Sequence, residues 1–261
     1  MTSPQDLLEL DISYYETFTN RIDTAWGTMF CNENQPNWYD SNHAHIINAC
    51  QDPQSVINEV ISYYQSRNII PRFYIYNLDI QQHLLRELKN RNFGYEELIS
   101  PVQLWNNKVI DIDHCSRVTI EKVTKENYHE ALNIEGSIKE FGGREAIEKV
   151  YEDQFNHFSF THYLLRYDGI ACSTACMFED GNQARMESVA TIEEYRGKGL
   201  IGEMIQFIQE EALIRGIEKL WVFPINETVE KVYQKYGFQT VEKLINGHAF
   251  LSGKSIKEIR E

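Results

Sequence analysis

Arg196-Gly-Lys-Gly-Leu-Ile-Gly202 holds three glycines and two cations in seven residues, just before an apolar run at helical spacing. Bare backbone at Gly197, Gly199 and Gly202 lets several N–H groups turn toward one anion. Arg196 and Lys198 add positive charge, and the N-terminus of the following helix adds its partial positive end. Such a stretch can grip a pyrophosphate. A P-loop would need Ser or Thr directly after its lysine, and here Glu203-Met204 follows the last glycine. Gly197-Lys-Gly-Leu-Ile-Gly202 also spells a dinucleotide fingerprint. That fold requires a βαβ unit with an acidic residue closing the second strand, whereas the next strand ends in Phe223-Pro224 and hairpins precede the loop. The remaining reading is a nucleotide-like ligand held by neither of these folds.

The elements that must position this loop can be read on both sides of it. Residues 183–191 form a strand, 203–213 an amphipathic helix capped by Gly216, 219–225 a strand, and 228–236 a helix stopped by Gly237. Residues 239–251 read as the last two strands. Upstream, 117–123 is a strand and 126–138 and 144–155 are helices. Gly142-Gly143 beside Phe141 marks a turn between these helices and a mobile lip. Residues 162–167 and 170–178 form a hairpin about Asp168-Gly169.

The first hundred residues carry a helix up to about residue 20, a strand at 26–31, a loop at 32–43 and a helix from Pro53 to about Arg67-Asn68. A strand at 72–76, a helix at 79–90 and a strand or hairpin at 93–105 follow. The polar, weakly patterned residues 108–116 read as a linker between a domain at 1–107 and a domain at 117–261. The segment Trp38-Tyr-Asp-Ser-Asn-His43, with His45, has two readings. It is either a loop with satisfied side chains or part of an acceptor pocket, and two histidines at i, i+2 make no metal motif.

The halves repeat one another. Arg67-Asn68-Ile69 matches Arg215-Gly216-Ile217, and the stretch ending Asn92-Phe93 matches the one ending Gly237-Phe238. At both places Asn stands for Gly, the two residues that most readily accept left-handed backbone angles. The repeat places Arg196 to Gly202 on Asn48-Ala-Cys-Gln-Asp-Pro-Gln54, which lacks glycine and cations and carries Asp52. Only the C-terminal copy is expected to hold the ligand.

Composition narrows the partner. With 39 acidic and 25 basic residues the formal net charge is −14, which disfavours nucleic acid or an anionic membrane and suits a cationic substrate such as an amine. Cys31, Cys50, Cys115, Cys172 and Cys176 are odd in number and lack metal-ligand spacing, so reduced thiols and no metal are expected. The opening residues, Met1 to Asp6, show neither a basic nor an apolar export region, and no apolar run approaches ~18 residues. These features predict a cytoplasmic protein.

The strand, the Tyr195-Arg-Gly-Lys-Gly199 loop, the helix, the next strand and then Tyr233-Gln-Lys-Tyr-Gly-Phe238 resemble the acyl-CoA-binding core of the GNAT superfamily of N-acetyltransferases. The resemblance covers about 117–251 and, faintly through the repeat, about 20–105. It departs at Ile201, where the family usually has Gly or Ala. The implied fold is α/β (α+β): two tandem GNAT-like domains, each a mixed, mostly antiparallel twisted sheet flanked by helices, the first without a cofactor loop. The implied cofactor is acetyl-CoA as co-substrate, held between two splayed strands, with no metal.

Backbone at Val189, Ala190 and Thr191 would pair with the pantetheine arm. Arg196, Gly197, Lys198, Gly199, Leu200, Ile201 and Gly202 would cradle the pyrophosphate, and Asn226 would hydrogen-bond the pantetheine. Tyr233 falls where the family places an acid beside the sulfur, and Glu187 where a general base would sit. The activity implied is transfer of acetyl to a primary amine of a small molecule or peptide in a ternary complex. The resemblance leaves open a homodimer and a non-catalytic acyl-CoA-binding protein on the same fold.

Overall fold

The computed structural model describes residues 4–138 and 144–260. Phe141, Gly142 and Gly143, read above as a mobile lip, and Met1 to Ser3 lie outside the described residues. The chain forms two compact units, one of residues 1–99 and 244–261 and one of residues 100–243. This differs from a cut at 108–116. Residues 100–116 go with the second unit, and the last eighteen residues go with the first.

The first unit contains α1 (Pro4–Glu16), β1 (Asn20–Asp23), β2 (Thr28–Cys31), β3 (His43–Ile46), α2 (Pro53–Gln65), β4 (Arg72–Ile75) and α3 (Gln82–Asn90). The chain then enters β5 (Gly94–Trp105), one twelve-residue strand with no hairpin. β1, β2 and β3 are antiparallel neighbours, and β3 runs parallel to β4. Ala44 and Ile46 of β3 turn into a core with Val56, Ile57, Val60 and Tyr64 of α2. His43 and His45 are fully buried, among Tyr15, Phe30, Tyr74 and Tyr76. The sequence predicts loop up to His43 and no strand after it, whereas His43–Ile46 form β3. Other side chains of the segment are satisfied: Asn42 Oδ1 accepts from Asn32 N–H at 2.9 Å, Asn42 Nδ2 donates to Gln35 O at 2.8 Å, and Asp40 Oδ1 accepts from the Tyr74 hydroxyl at 2.7 Å, whereas neither ring nitrogen of His45 has a hydrogen-bond partner.

The second unit contains β6 (Val118–Lys122), α4 (Tyr128–Gly136), α5 (Arg144–Asn156), β7 (Phe160–Tyr167), β8 (Ile170–Asp180), β9 (Gln183–Thr191), α6 (Leu200–Ile214), β10 (Lys219–Val222) and α7 (Glu227–Lys235). β6 to β9 are sequential antiparallel neighbours, and β10 is parallel to β9. Asp168 and Gly169 both have positive φ, as a two-residue hairpin turn requires. One face of the sheet packs on α6 and α7 through Leu165, Met177, Ala184, Met186, Met204 and Tyr233. The other face packs on α4 and α5 through Leu164, Ala190, Ala131, Leu132 and Tyr151. Each unit is a mixed, mostly antiparallel sheet flanked by helices.

The expected two final strands are one strand, β11 (Phe238–Phe250), followed by a short helix α8 (Ile256–Arg260). The division of the chain follows from the length of β5 and β11. Gly247 to Phe250 of β11 pair with β4 of the first unit, while Gln103 and Leu104 of β5 pair with β10 of the second. Each long strand therefore gives its two halves to different units. A boundary inside a strand has no turn residues to announce it. No helix among the described residues is long and apolar enough to cross a membrane.

The repeat is visible in the backbone. β3, α2, β4, α3 and β5 follow the same order as β9, α6, β10, α7 and β11, and each set opens with a parallel strand pair. Asn68 (φ 58°) and Gly216 (φ 72°) both adopt the left-handed conformation that ends a helix. Ile69 N–H donates to Tyr64 O at 3.0 Å, and Ile217 N–H to Ala212 O at 2.9 Å. The same helix stop is thus built twice.

Two outcomes follow. Burial holds His43 well below its usual value and brings His45 down to about 3. Unfolded histidine takes a proton near 6.5, so between about 6.5 and 3 the unfolded chain binds protons that folded His45 refuses. Stability is full above about pH 6.5 and falls below it, by on the order of 2 kcal/mol at pH 5 from His45 alone. Denaturant midpoints measured from pH 8 to pH 5 will show this, and His45→Phe will flatten the dependence.

A Cβ at Gly202 would lie 2.3 Å from the Tyr236 hydroxyl and 2.7 Å from its ring. Gly202→Ala should therefore cost roughly 1–3 kcal/mol by overpacking, and lower the melting temperature by some degrees in the absence of any ligand.

Candidate functional site

The ladder between β9 and β10 ends at the pair Met186–Val222. β9 continues for five residues, Glu187 to Thr191, beside no residue of β10. At about 3.3 Å per residue this is roughly 16 Å of strand edge that has left its parallel neighbour. On the other side β9 stays paired with β8, but the register slips between Thr174 and Cys176. Thr174 faces Ala190 and Cys176 faces Glu187, so β9 carries one extra residue there. The bulge contains Ser188, whose φ of 50° is unusual for a residue with a side chain.

Val189 and Ala190 divide between the two cores: Val189 packs toward α6 and α7, Ala190 toward α4 and α5. Ser173 Oγ donates to Ala190 O at 2.6 Å and lies 2.8 Å from Thr191 Oγ1, fixing the end of β9.

After Thr191 the chain makes one turn of 3-10 helix, Glu193–Tyr195, and enters the glycine loop. Gly197 and Gly199 both have φ 78°, and a Cβ on either would meet no atom within 4 Å. The glycines are thus required by backbone conformation, and the space over them is open. Gly199 is the N-cap of α6 and no side chain caps that helix end. The corresponding helix of the first unit, α2, is capped by Asp52, whose carboxylate accepts from Ser55 N–H at 3.1 Å. One copy fills the positive helix end with its own anion, and the other leaves it without a side-chain anion.

The remaining expected site residues are placed as follows. Arg196 is exposed, and its Nε donates to Thr191 O at 3.0 Å. Lys198 is exposed with its Nζ 5.8 Å from the Tyr167 and Tyr195 ring centres. Leu200 points into the core and Ile201 packs against it, so only their backbones face the loop. Gly202 is buried against Tyr236, as described above. Asn226 Oδ1 accepts from Val229 N–H at 2.9 Å and caps α7. Tyr233 of α7 is 4% exposed. Burial, and then the charge of Glu187, push its phenol well above the usual range, so it stays protonated. Glu187 is ion-paired with Arg185.

The residues not anticipated lie on the α4 and α5 side of β9. Glu135 of α4 is 2% exposed and takes a hydrogen bond from Ser188, while its Oε1 has no partner. His162 Nδ1 lies 3.9 Å from that oxygen and is also unpartnered, as is the buried hydroxyl of Tyr151. Burial raises Glu135 to about 8 and lowers His162 to about 4. One signal in the sequence could have found Glu135. It follows Ala131 by four residues, so a carboxylate stands on the apolar stripe of its helix.

The acetyltransferase (GNAT) family model matches residues 128–238. No curated protein sequence matches the chain significantly. Among solved structures, a GCN5-related N-acetyltransferase from Kribbella flavida superposes with a TM-score of 0.72 at 15% identity, over 99% of each chain. A conserved protein of unknown function from Staphylococcus epidermidis gives 0.70 at 12% identity, over 89% of this chain and 93% of that one. A tandem GNAT protein from the clavulanic acid biosynthesis pathway gives 0.57 at 11% identity, over 94% and 89%. Residues 128–238 thus match the acetyltransferase (GNAT) family, in a chain whose fold is similar to that of a tandem GNAT protein.

Proposed function

We infer that the chain is an acetyl-CoA-dependent N-acetyltransferase acting on a primary amine of a small molecule or peptide, through its second unit. The observation that carries this reading is the parting of β9 from β10 immediately before a glycine loop and an uncapped helix. A ligand with a peptide-like arm and a pyrophosphate fits that sequence of features. Residues 189–191 offer backbone to the arm, and the amides of 196–202 with Arg196 and Lys198 suit the phosphates. Bound acetyl-CoA supplies an acyl carbon activated as a thioester. Asn226, which accepts one hydrogen bond through Oδ1 from its own helix, has its amide NH2 to donate to a ligand.

Tyr233 is the acid for the departing sulfur. Burial and Glu187 keep its proton on, and a leaving thiolate needs one. The family resemblance gives Glu187 the amine's proton. Its ion pair with Arg185 and its bearing on Tyr233 support a part in holding that phenol protonated. The first unit, with Asp52 capping the equivalent helix, is structural in this reading. The five cysteines are free thiols, in keeping with a reducing cytoplasm where acetyl-CoA is at hand.

Calorimetry with acetyl-CoA, followed by thiol release over an amine panel, tests the reading. Binding and turnover are expected, with Tyr233→Phe lowering kcat by roughly 10²–10⁴ and leaving acetyl-CoA affinity unchanged. Binding with no thiol release from any amine would favour a non-catalytic acyl-CoA-binding protein. No binding would end both readings.

A further inference from the structure

The polar cluster beneath the β9 bulge is buried in the core on the α4 and α5 side, but its polar atoms are not satisfied there. Glu135 Oε1, His162 Nδ1 and Tyr151 Oη are each buried and each without a hydrogen-bond partner. Three such atoms in one place are costly, since an unsatisfied buried polar group costs about 1–3 kcal/mol. They come from α4, β7 and α5, and the strands align His162 with the ligand-side strand. His162 of β7 pairs with Cys176 of β8, and Cys176 pairs with Glu187 of β9, so the three share one row and one face. His162 Nε2 stands 3.7 Å from Cys176 Sγ. The Tyr151 ring lies 4.5 Å from that of His162.

The connection from this cluster to the ligand strand is Ser188. It is half-buried, it is the bulged residue of β9, and its side chain bonds Glu135. Its neighbours in sequence are Glu187 and Val189, at the edge that has left β10.

Resting on the N-acetyltransferase reading above, we propose that Glu135 is the terminal proton acceptor for the attacking amine, reached through the Ser188 hydroxyl at the β9 bulge. The amine nitrogen forms its bond to the acyl carbon and gives one proton to Ser188 Oγ. Ser188 passes its own proton to the Glu135 carboxylate. The carbon–sulfur bond breaks with its electron pair on sulfur, which takes the phenolic proton of Tyr233. Glu135 gives its proton back through the Ser188 hydroxyl to solvent, and the Tyr233 phenolate takes one from solvent, so amine and thioester become amide and thiol with nothing left over. Ser188 alone touches the amine, and Glu135 is a positioning and proton-storing residue behind it.

Glu187 is less suited to this part because Arg185 already holds its carboxylate. Glu135 has an oxygen without a partner, and burial tunes it close to the pH at which it would work. The groups that face Glu135 or its neighbours are Tyr151 from α5, His162 from β7, Cys176 from β8 and the Arg185–Glu187 pair from β9.

The test compares the full chain with Glu135→Gln, Glu135→Asp and Ser188→Gly, glycine being suited to the positive φ. Thiol release from acetyl-CoA is followed from pH 6 to pH 10 over a panel of primary amines, with acetyl-CoA affinity by calorimetry and folding by thermal melting. Glu135→Gln and Ser188→Gly are each expected to lower kcat by about 100-fold, with acetyl-CoA affinity unchanged. Combining them should cost no more than either alone, and Glu135→Asp should recover part of the rate. The rise of wild-type rate toward about pH 8 should vanish in Glu135→Gln.

Should Glu135→Gln fail to fold, Ser188→Gly alone decides. Wild-type kcat and pH profile in folded variants would overturn the relay while leaving the acetyltransferase reading in place. Absence of turnover by the wild-type chain with every amine would overturn both.

Discussion

Strand edges are hydrogen-bonding surfaces, and a strand that leaves its neighbour inside a sheet exposes backbone groups that must find partners elsewhere. β9 does this after Met186, and most of the second unit can be understood as holding it in place there. β8 stays paired along its other side. Ser173 secures Ala190 and Thr191, and the bulge at Ser188 absorbs the extra residue that the parting requires. Met186 and Ala184 anchor the paired half of the strand against α6, and Ala190 anchors the far end against α4 and α5. The glycine loop and α6 then begin where the strand stops. An open edge, a bare loop and an uncapped helix end are adjacent because one strand separates from another.

The first unit shows what the same scaffold looks like without that demand. Its parallel pair, its helix stop and its left-handed residue before Ile69 repeat those of the second unit. Asp52 caps α2 where Gly199 leaves α6 uncapped. The strand equivalent to β9 carries two histidines whose burial is tolerated only while they remain neutral. Duplication has thus kept the backbone chemistry of turns and caps and let the polar site chemistry diverge, as expected if the former is required for folding and the latter only for ligand binding.

Charge is managed in pairs within the second unit. Arg215 joins Glu179, Glu211 and Tyr163, Arg185 holds Glu187, and Glu203 accepts from Cys115 N–H and lies 2.9 Å from His114. Against this background an unpaired buried carboxylate at Glu135 is an exception, and desolvation without a cation raises its affinity for protons. Sites that perform proton transfer are where such exceptions are found.

Local chemistry was legible in the residues themselves. The Asp168-Gly169 turn, the Asn-for-Gly substitutions at Asn68 and Asn92 and the loop glycines each depend on a few neighbouring residues, and each is where the pattern of the chain placed it, while α6 begins at Leu200, three residues before the expected start. The order of strands and helices around the loop followed from the same short-range signals. Tertiary structure decided what depends on distant partners. β3 is too short to show a period, and it exists because β2 and β4 flank it. β5 and β11 could not be divided by composition, since each half pairs within a different unit. Gly202 is required by Tyr236, thirty-four residues away, and Glu135 gains its properties only when β7, β8 and β9 close over it. Sequence by itself determined the glycine loop before α6 and the family of folds that carries it. Burial, which no local pattern encodes, determined which acidic and aromatic side chains hold their protons more tightly than usual.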